Sequence, residues 1–388
     1  MGNNFKMLAK TLFGFEPLLA RELRNMGAID VKEGVRSVTF WGDTGFMYKA
    51  NLSLRTAIKI LKPVETFKVF SEEQLYRQVN RMAWEDFLET NGTLAIDATV
   101  FSEKFKHSKY VALKTKDAIV DRFRDKTGNR PNIDLEEPDL RVNVHIERDQ
   151  CTISLDSSGQ SLHKRGYKSA TNIAPINEVL AAGMLLHSGW DGQCDFLDPM
   201  CGSGTILIEA AMIACNIPPN LNRERFGFQS WKDWDEALFV KIRESVLRKV
   251  REFHFTLTGF DKAPSAVRKA TDNIENSGLS EFISVRQEDF FKSEKERDRH
   301  LHMVFNPPYG ERLSIDMPEF YKSIGNTLKQ HYPGTDAWFI TSNLEAIKHV
   351  GLRPSRKIKL YNGSLESRLL KFQIYEGSRK AKKQEVQE

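Results

Sequence analysis

The rhythm of apolar and polar positions along the chain changes near Gly166. Before it, Leu140 to Glu147 (LRVNVHIE) sets Val142, Val144 and Ile146 on one face, and beyond an Asp149-Gln150 turn Cys151, Ile153 and Leu155 alternate likewise. This pattern predicts a hairpin with one buried face. Leu94 to Phe101 predicts another strand, and Ser71 to Leu88, with Leu75, Val79, Met82 and Phe87 near helical spacing, predicts an amphipathic helix. After Gly166 come strand–helix repeats with longer spacing. Asn177 to His187 carries Val179, Leu180, Met184 and Leu185 as a helical stripe; Phe196 and Leu197 end a short strand; Gly202 and Gly204 make a tight loop; Thr205 to Cys215 is a strong helix former. Further strands are expected at Phe255 to Asp261, Ile283 to Phe291 and Met303 to Phe305. The last pair, Lys357 to Tyr361 and Leu369 to Tyr375, is expected to join across an Asn362-Gly363 turn.

A chain of 388 residues is too long for one ordinary core, so two or three domains are expected. Mean hydropathy is −0.46, and no apolar run approaches the roughly 18 residues that cross a bilayer. The start, MGNNFKMLAK, lacks the apolar core of a secretory signal, and Lys6 stands where a myristoylation pattern needs a hydroxyl. The chain is read as soluble and cytoplasmic. Cys151, Cys194, Cys201 and Cys215 form no C-x-x-C pair, which argues for reduced thiols and against both a disulfide framework and a zinc site; no metal is expected. The net charge of +5 is a mild excess. Its distribution is uneven: Lys104, Lys106, Lys109, Lys114, Lys116, Arg122, Arg124, Lys126 and Arg130 fall in one segment, and Arg353, Arg356, Lys357, Lys359, Arg368 and Lys371 near the other end. Either run can be a solvated face or a polyanion contact.

Strand, glycine turn, helix is the order in CDFLDPMCGSGTILIEAAMIAC, Cys194 to Cys215. Such a loop turns backbone N–H groups toward a ligand, and glycines admit a close approach. A dinucleotide fingerprint needs a third glycine where Leu207 stands, and no G-K-[ST] follows for a triphosphate. Asp198 just ahead of the loop suits an amino-acid end with an ammonium, as in S-adenosylmethionine; a plain tight turn is the alternative. Two further strand ends carry acids. Asp261 is placed to accept both hydroxyls of a ribose, and Asp289 to accept from an adenine amino group with Phe290 packed on the ring. Singly, either could be a helix cap or a solvated turn.

A fourth strand end reads HMVFNPPYGERL, His302 to Leu313. Pro307 and Pro308 fix φ and remove two donors, so the chain leaves the sheet stiffly with carbonyls facing no competing N–H. A nucleobase amine can donate to the Asn306 side-chain oxygen and the Pro307 carbonyl while Tyr309 stacks on the base. Mere punctuation of the strand is the alternative. Base-carbon methylation would need a cysteine nucleophile, and none follows Pro308.

DPMCGSG at 198–204, Asp261, Asp289 and NPPYG at 306–310 resemble the amino-methylating Rossmann-like S-adenosylmethionine methyltransferases, and the first half resembles a THUMP RNA-binding domain behind a ferredoxin-like unit. LHKRGYKSATNIAPINEVLAAGMLL at 162–186 and KLYNGSLESRLLKFQIY at 359–375 extend the resemblance over nearly the full length. The whole chain is similar to the bacterial 23S rRNA guanine-N2-methyltransferases, often labelled predicted N6-adenine-specific DNA methylases. This resemblance implies an α/β fold: a ferredoxin-like unit at 1–52, a THUMP α+β domain at 53–158, a linker at 159–176, a methyltransferase domain with a seven-stranded doubly wound sheet at 177–376, and a polar tail at 377–388. It implies Asn306, Pro307, Pro308 and Tyr309 as catalytic. Asp198, Pro199, Cys201, Gly202, Gly204, Thr205, Asp261, Lys262, Asp289, Phe290 and Asn306 would hold S-adenosyl-L-methionine, and Lys104, Lys106, Lys109, Lys114 and Arg122 would contact RNA, most simply ribosomal RNA. Transfer RNA guanine methylation, DNA adenine methylation and a non-catalytic RNA-binding assembly factor stay open. The insertion Asn216 to Lys232 is expected to shape the substrate side, and the second methyltransferase domain of fused members cannot be assigned here.

Overall fold

The computed structural model describes residues 4–168, 176–308 and 316–375. The chain clusters into two compact units, one made of Met1–Thr11, Leu19–Lys164 and Arg223–Val246, the other of Leu12–Leu18, Arg165–Asn222 and Leu247–Glu388.

The first unit is built on one sheet of eight strands: β1 (Phe5–Thr11), β2 (Ile29–Gly34), β3 (Ser37–Gly42), β4 (Ala57–Lys68), β5 (Thr93–Phe101), β6 (Asn132–Ile133), β7 (Leu140–Glu147) and β8 (Gln150–Asp156). Their order is β2-β3-β1-β4-β8-β7-β5-β6. The long strand β4 pairs with β1 on one side and β8 on the other, so the two expected N-terminal domains contribute to a single sheet. Val142, Val144, Ile146, Cys151, Ile153 and Leu155 all enter one core, as the alternation predicts. The β7–β8 loop is Arg148-Asp149 rather than Asp149-Gln150, because Glu147 already pairs with Gln150 and the left-handed residue is Arg148 (φ 55°). The helix expected from Ser71 to Leu88 stops at Arg81. Met82 turns extended, and the Trp84 indole N–H donates to the Val79 carbonyl (2.7 Å), closing the helix end before a short turn at Trp84–Asp86.

Arg223–Val246 belongs to this first unit and does not extend the second. Phe226, Phe228 and Trp231 are core residues; Phe228 stacks on Phe226 (centroids 5.2 Å apart) and on Tyr48 (4.4 Å). Large aromatic faces gain most from leaving water, so this part of the insertion serves a core.

The second unit holds β9 (Asp195–Asp198), β10 (Leu257–Asp261), β11 (Ile283–Gln287), β12 (Leu301–Phe305), β13 (Thr335–Thr341), β14 (Arg356–Asn362) and β15 (Leu365–Ile374). Their order, β11-β10-β9-β12-β13-β15-β14, is a doubly wound sheet of seven strands with β15 antiparallel to its neighbours. Strand order reverses between β9 and β12, which lie in parallel register with Leu197 beside Met303. Helices Glu178–Ser188, Thr205–Ala214, Pro264–Ser277 and Met317–His331 belong to this unit. Asn177 caps the first by accepting the Val179 and Leu180 N–H groups. Gly183 within it leaves room for Phe15, whose ring would lie 2.1 Å from an added Cβ. The β14–β15 loop is Gly363-Ser364 rather than Asn362-Gly363: Asn362 pairs with Leu365, and the positive φ (62°) falls on Gly363. The strand predicted to run from Ile283 to Phe291 ends at Gln287, and Asp289 caps a short turn at Phe290–Lys292. Among the described residues, no helix is long and apolar enough to cross a membrane.

Candidate active site

Open α/β sheets bind ligands at the carboxyl ends of their strands where the strand order reverses. In this sheet that place is the crevice between β9 and β12, and Asp198 ends β9 while Asn306 follows β12. Asp261 ends β10 and Asp289 follows β11, so the four expected residues reach one edge of one sheet.

The glycine turn is held from three sides. The Asp261 carboxylate accepts the Gly202 N–H at Oδ2 (3.0 Å) and the Ala263 N–H at Oδ1 (2.9 Å). The Phe260 carbonyl accepts the Cys201 N–H (2.8 Å), and the Cys201 carbonyl accepts the Gly204 N–H (2.8 Å). From the helix Pro264–Ser277, the Asn273 amide donates to the Ser203 carbonyl (2.9 Å). Gly202 and Gly204 both sit at positive φ (54° and 79°). They differ in surroundings: a Cβ on Gly204 would touch Ala270, whereas a Cβ on Gly202 meets nothing within 4 Å. Gly202 therefore borders open space, as a ligand cradle requires. Pro199, Cys201 and Thr205 are buried beside this turn, and Lys262 is exposed.

Two buried oxygens here have no hydrogen-bond partner among the described residues. Asp198 is fully buried; its Oδ1 accepts only the Met200 N–H (3.2 Å), and Oδ2 is unpartnered. Burial, with Asp261 adding like charge, raises the Asp198 carboxyl well above its ordinary range, and burial raises the Cys201 thiol likewise. The second oxygen is Asn306 Oδ1. An orphaned buried acceptor costs about 1–3 kcal/mol, so these two oxygens at the crevice are open to donors that the described chain does not supply. The residues present thus fit a ligand with a cationic amino-acid end beside the glycine turn. Tyr309 lies outside the described residues; Pro307 is buried and Pro308 half-buried.

Phe290 departs from its expected place. Its ring is buried in the core against Phe305 and Tyr332, with centroids 5.8 and 5.6 Å away. The turn that Asp289 caps, accepting the Phe291 N–H (3.0 Å), swings Phe290 inward. Among the expected RNA contacts in the first unit, Lys104, Lys106 and Lys109 are exposed, with Lys104 Nζ 4.3 Å from the Phe70 centroid. Lys114 Nζ lies 5.4 Å from the Tyr76 centroid. Arg122 is not available in the way expected: its guanidinium donates twice to Glu85 (2.8 and 2.7 Å) and once to the Asn80 carbonyl (3.0 Å). That fork holds the Glu85 carboxyl well below the usual carboxylate range.

Sequence reading missed Asn273, for which a mid-helix asparagine gives no signal. It also missed a buried ion pair between Arg165 Nε and Glu209 Oε1 (3.1 Å), both fully buried, with Arg165 Nη1 donating to Asn220 Oδ1 (3.2 Å). A lone glutamate inside the apolar helix TILIEAAMIA was the available signal.

Residues 165–371, which include this crevice, match the RMKL-like methyltransferase domain. A Synechocystis protein named as a putative RNA methyltransferase, slr0064, is 35% identical over 365 residues, covering 93% of this chain and 95% of that one. The chain belongs to the RMKL-like methyltransferase family. Ahead of that domain, residues 6–61 match the RlmL ferredoxin-like domain and residues 70–156 a THUMP domain. A ribosomal RNA large subunit methyltransferase K/L of Syntrophotalea carbinolica is 41% identical over 387 residues, 96% of this chain. The chain spans about half the length of that relative, 54%. Among solved structures, the crystal structure of SMU.472 complexed with SAH is 30% identical, with a TM-score of 0.85, over 97% of this chain and all of that one.

Proposed function

We propose that this RMKL-like methyltransferase uses S-adenosyl-L-methionine to methylate the exocyclic N2 of a guanine in large-subunit (23S) ribosomal RNA, acting in the cytoplasm. The observation that carries the reading is the unpartnered Asn306 Oδ1 at the mouth of the β9–β12 crevice. The name of the K/L relative supplies the RNA class, and the SAH complex of SMU.472 supports the cofactor. We assign residues 1–52, 53–158 and 177–376 to a ferredoxin-like unit, a THUMP RNA-binding domain and the catalytic domain, joined by 159–176; family matches at 6–61, 70–156 and 165–371 support three parts in this order.

When bound, S-adenosylmethionine supplies a methyl group already activated by its sulfonium charge. Everything else falls to the chain. Asp198 Oδ2 receives the cofactor's ammonium, Gly202 lets it approach, and Asp261 and Asp289 accept from ribose and adenine. Asn306 Oδ1 accepts one amino hydrogen of the guanine and the Pro307 carbonyl the other. These acceptors draw the nitrogen lone pair out of ring conjugation and aim it, and alignment of this kind supplies roughly 7–11 kcal/mol of a barrier. Tyr309 stacks on the extruded base, worth about 1–3 kcal/mol. Lys104, Lys106 and Lys109 grip RNA backbone.

The test is transfer of labelled methyl groups to total RNA from cells lacking the protein, followed by nuclease mapping. N2-methylguanosine in the large ribosomal RNA is the expected product. Label found only in transfer RNA, or on adenine, overturns the proposal.

A further inference from the structure

We infer that the β14–β15 ribbon is a second RNA contact, one that holds single-stranded nucleotides flanking the methylated base; this rests on the function proposed above. The ribbon forms one margin of the seven-stranded sheet, with β14 as its edge strand. It and the turn before it carry Arg353, Arg356, Lys357, Lys359, Arg368 and Lys371. Opposing them are two acids: Glu366 pairs with Lys359 and Arg368, and Asp336 with Lys371. Arg353, Arg356 and Lys357 are exposed and have no ion-pair partner among the described residues. The surplus of cations favours a polyanion.

Aromatic surface accompanies the charge. Tyr361 meets the half-exposed Phe13 edge-on (centroids 5.5 Å apart, 90°), and Lys359 Nζ lies 5.6 Å from the Tyr361 centroid. Leu365 at the hairpin tip is 53% exposed. Basic side chains interleaved with rings are how single strands are held, since every base has a face to stack.

Strand direction ties the ribbon to the site. β13 runs parallel to β12, and two antiparallel pairings bring β14 back to the same direction, so Tyr361 and the hairpin tip point toward the edge that bears Asn306. Register sets Phe305 beside Phe339, Phe339 beside Leu370 and Leu370 beside Lys357. Three strand spacings across and three residues along place Tyr361 roughly 17 Å from Asn306, within reach of a few nucleotides. An alternative use of these charges is to keep the β14 edge from pairing with another chain.

The probe is protein-free large-subunit ribosomal RNA, titrated between 50 and 200 mM KCl in filter binding, with SAH affinity as the check on folding. Replacing three phosphate-binding cations (Arg353→Glu, Arg356→Glu, Lys357→Glu) is expected to weaken RNA binding at least about tenfold and lower the salt slope by about 2. Tyr361→Ala is expected to weaken binding roughly fivefold or more, with SAH affinity unchanged in both. Wild-type protein cross-linked to 4-thiouridine RNA should yield adducts on peptides from 356–374, a measurement that needs no variant. Unchanged RNA affinity and slope, a triple variant that only aggregates while its soluble fraction binds RNA normally, or cross-links confined elsewhere overturn the ribbon contact. A wild-type chain that neither binds nor methylates ribosomal RNA overturns the underlying function instead.

Discussion

Asp261 Oδ2 accepts the Gly202 N–H across 3.0 Å, tying the end of β10 to the glycine turn that follows β9. An acid that sequence reading reserves for a ligand is therefore also the clamp that shapes the loop. Its other oxygen accepts the Ala263 N–H, so Asp261→Asn sets an amide NH2 against a backbone donor. Both Asp261→Asn and Asp261→Ala should weaken SAH binding about 5- to 150-fold, the equivalent of a lost charged acceptor at about 1–3 kcal/mol. Calorimetric titration checks this, and wild-type affinity in Asp261→Asn would contradict the clamp.

Asn306→Ala removes the unpartnered buried acceptor. Turnover should fall about 10²- to 10³-fold, the loss typical of one group that stabilises developing charge. Stability should hold or rise by about 1 kcal/mol, because an unsatisfied oxygen leaves the fold. Single-turnover kinetics and urea unfolding separate the two effects. A variant that is both active and destabilised would mean the side chain serves only the fold.

His302, buried on β12 with Nε2 2.8 Å from Ser188 Oγ, has its pKa lowered to about 4, chiefly by burial. The unfolded chain titrates this group near 6.5. Between those values the unfolded state binds a proton that the native state refuses, so this contribution to stability is whole above about pH 6.5 and is lost as pH falls toward 4, amounting to about 3 kcal/mol. Urea midpoints at pH 7.5 and 5 should differ, and His302→Gln should shrink the difference. An equal difference in the variant would place the effect on other groups.

Glu209→Gln or Arg165→Met removes one charge of an ion pair whose two side chains are fully buried. Either should cost about 3–5 kcal/mol, and the apolar double variant, Arg165→Met with Glu209→Leu, markedly less than the sum. Thermal unfolding of the wild type, both single variants and the double variant is the measurement; additive losses would show that the two side chains do not act as a pair.

Periodicity and turn chemistry determined much of this protein without help. Val142, Val144 and Ile146 had to share a buried face, Asn177 had to begin a helix, and DPMCGSG and Asn306-Pro307-Pro308 had to stand at strand ends, because each follows from interactions within a few residues. What the tertiary structure decided depends on partners far apart in sequence. Phe290 turned into the core because Phe305 and Tyr332 offered it apolar contact. Arg122 was taken by Glu85, 37 residues away. Phe226 and Phe228 joined a core with Tyr48. Strand order, too, is non-local: only the pairing of β9 with β12 sets Asp198 and Asn306 on either side of one crevice. Local sequence dictates backbone shape and which side of an element is apolar; which buried groups meet, and which are left without a partner, is settled by packing among distant segments.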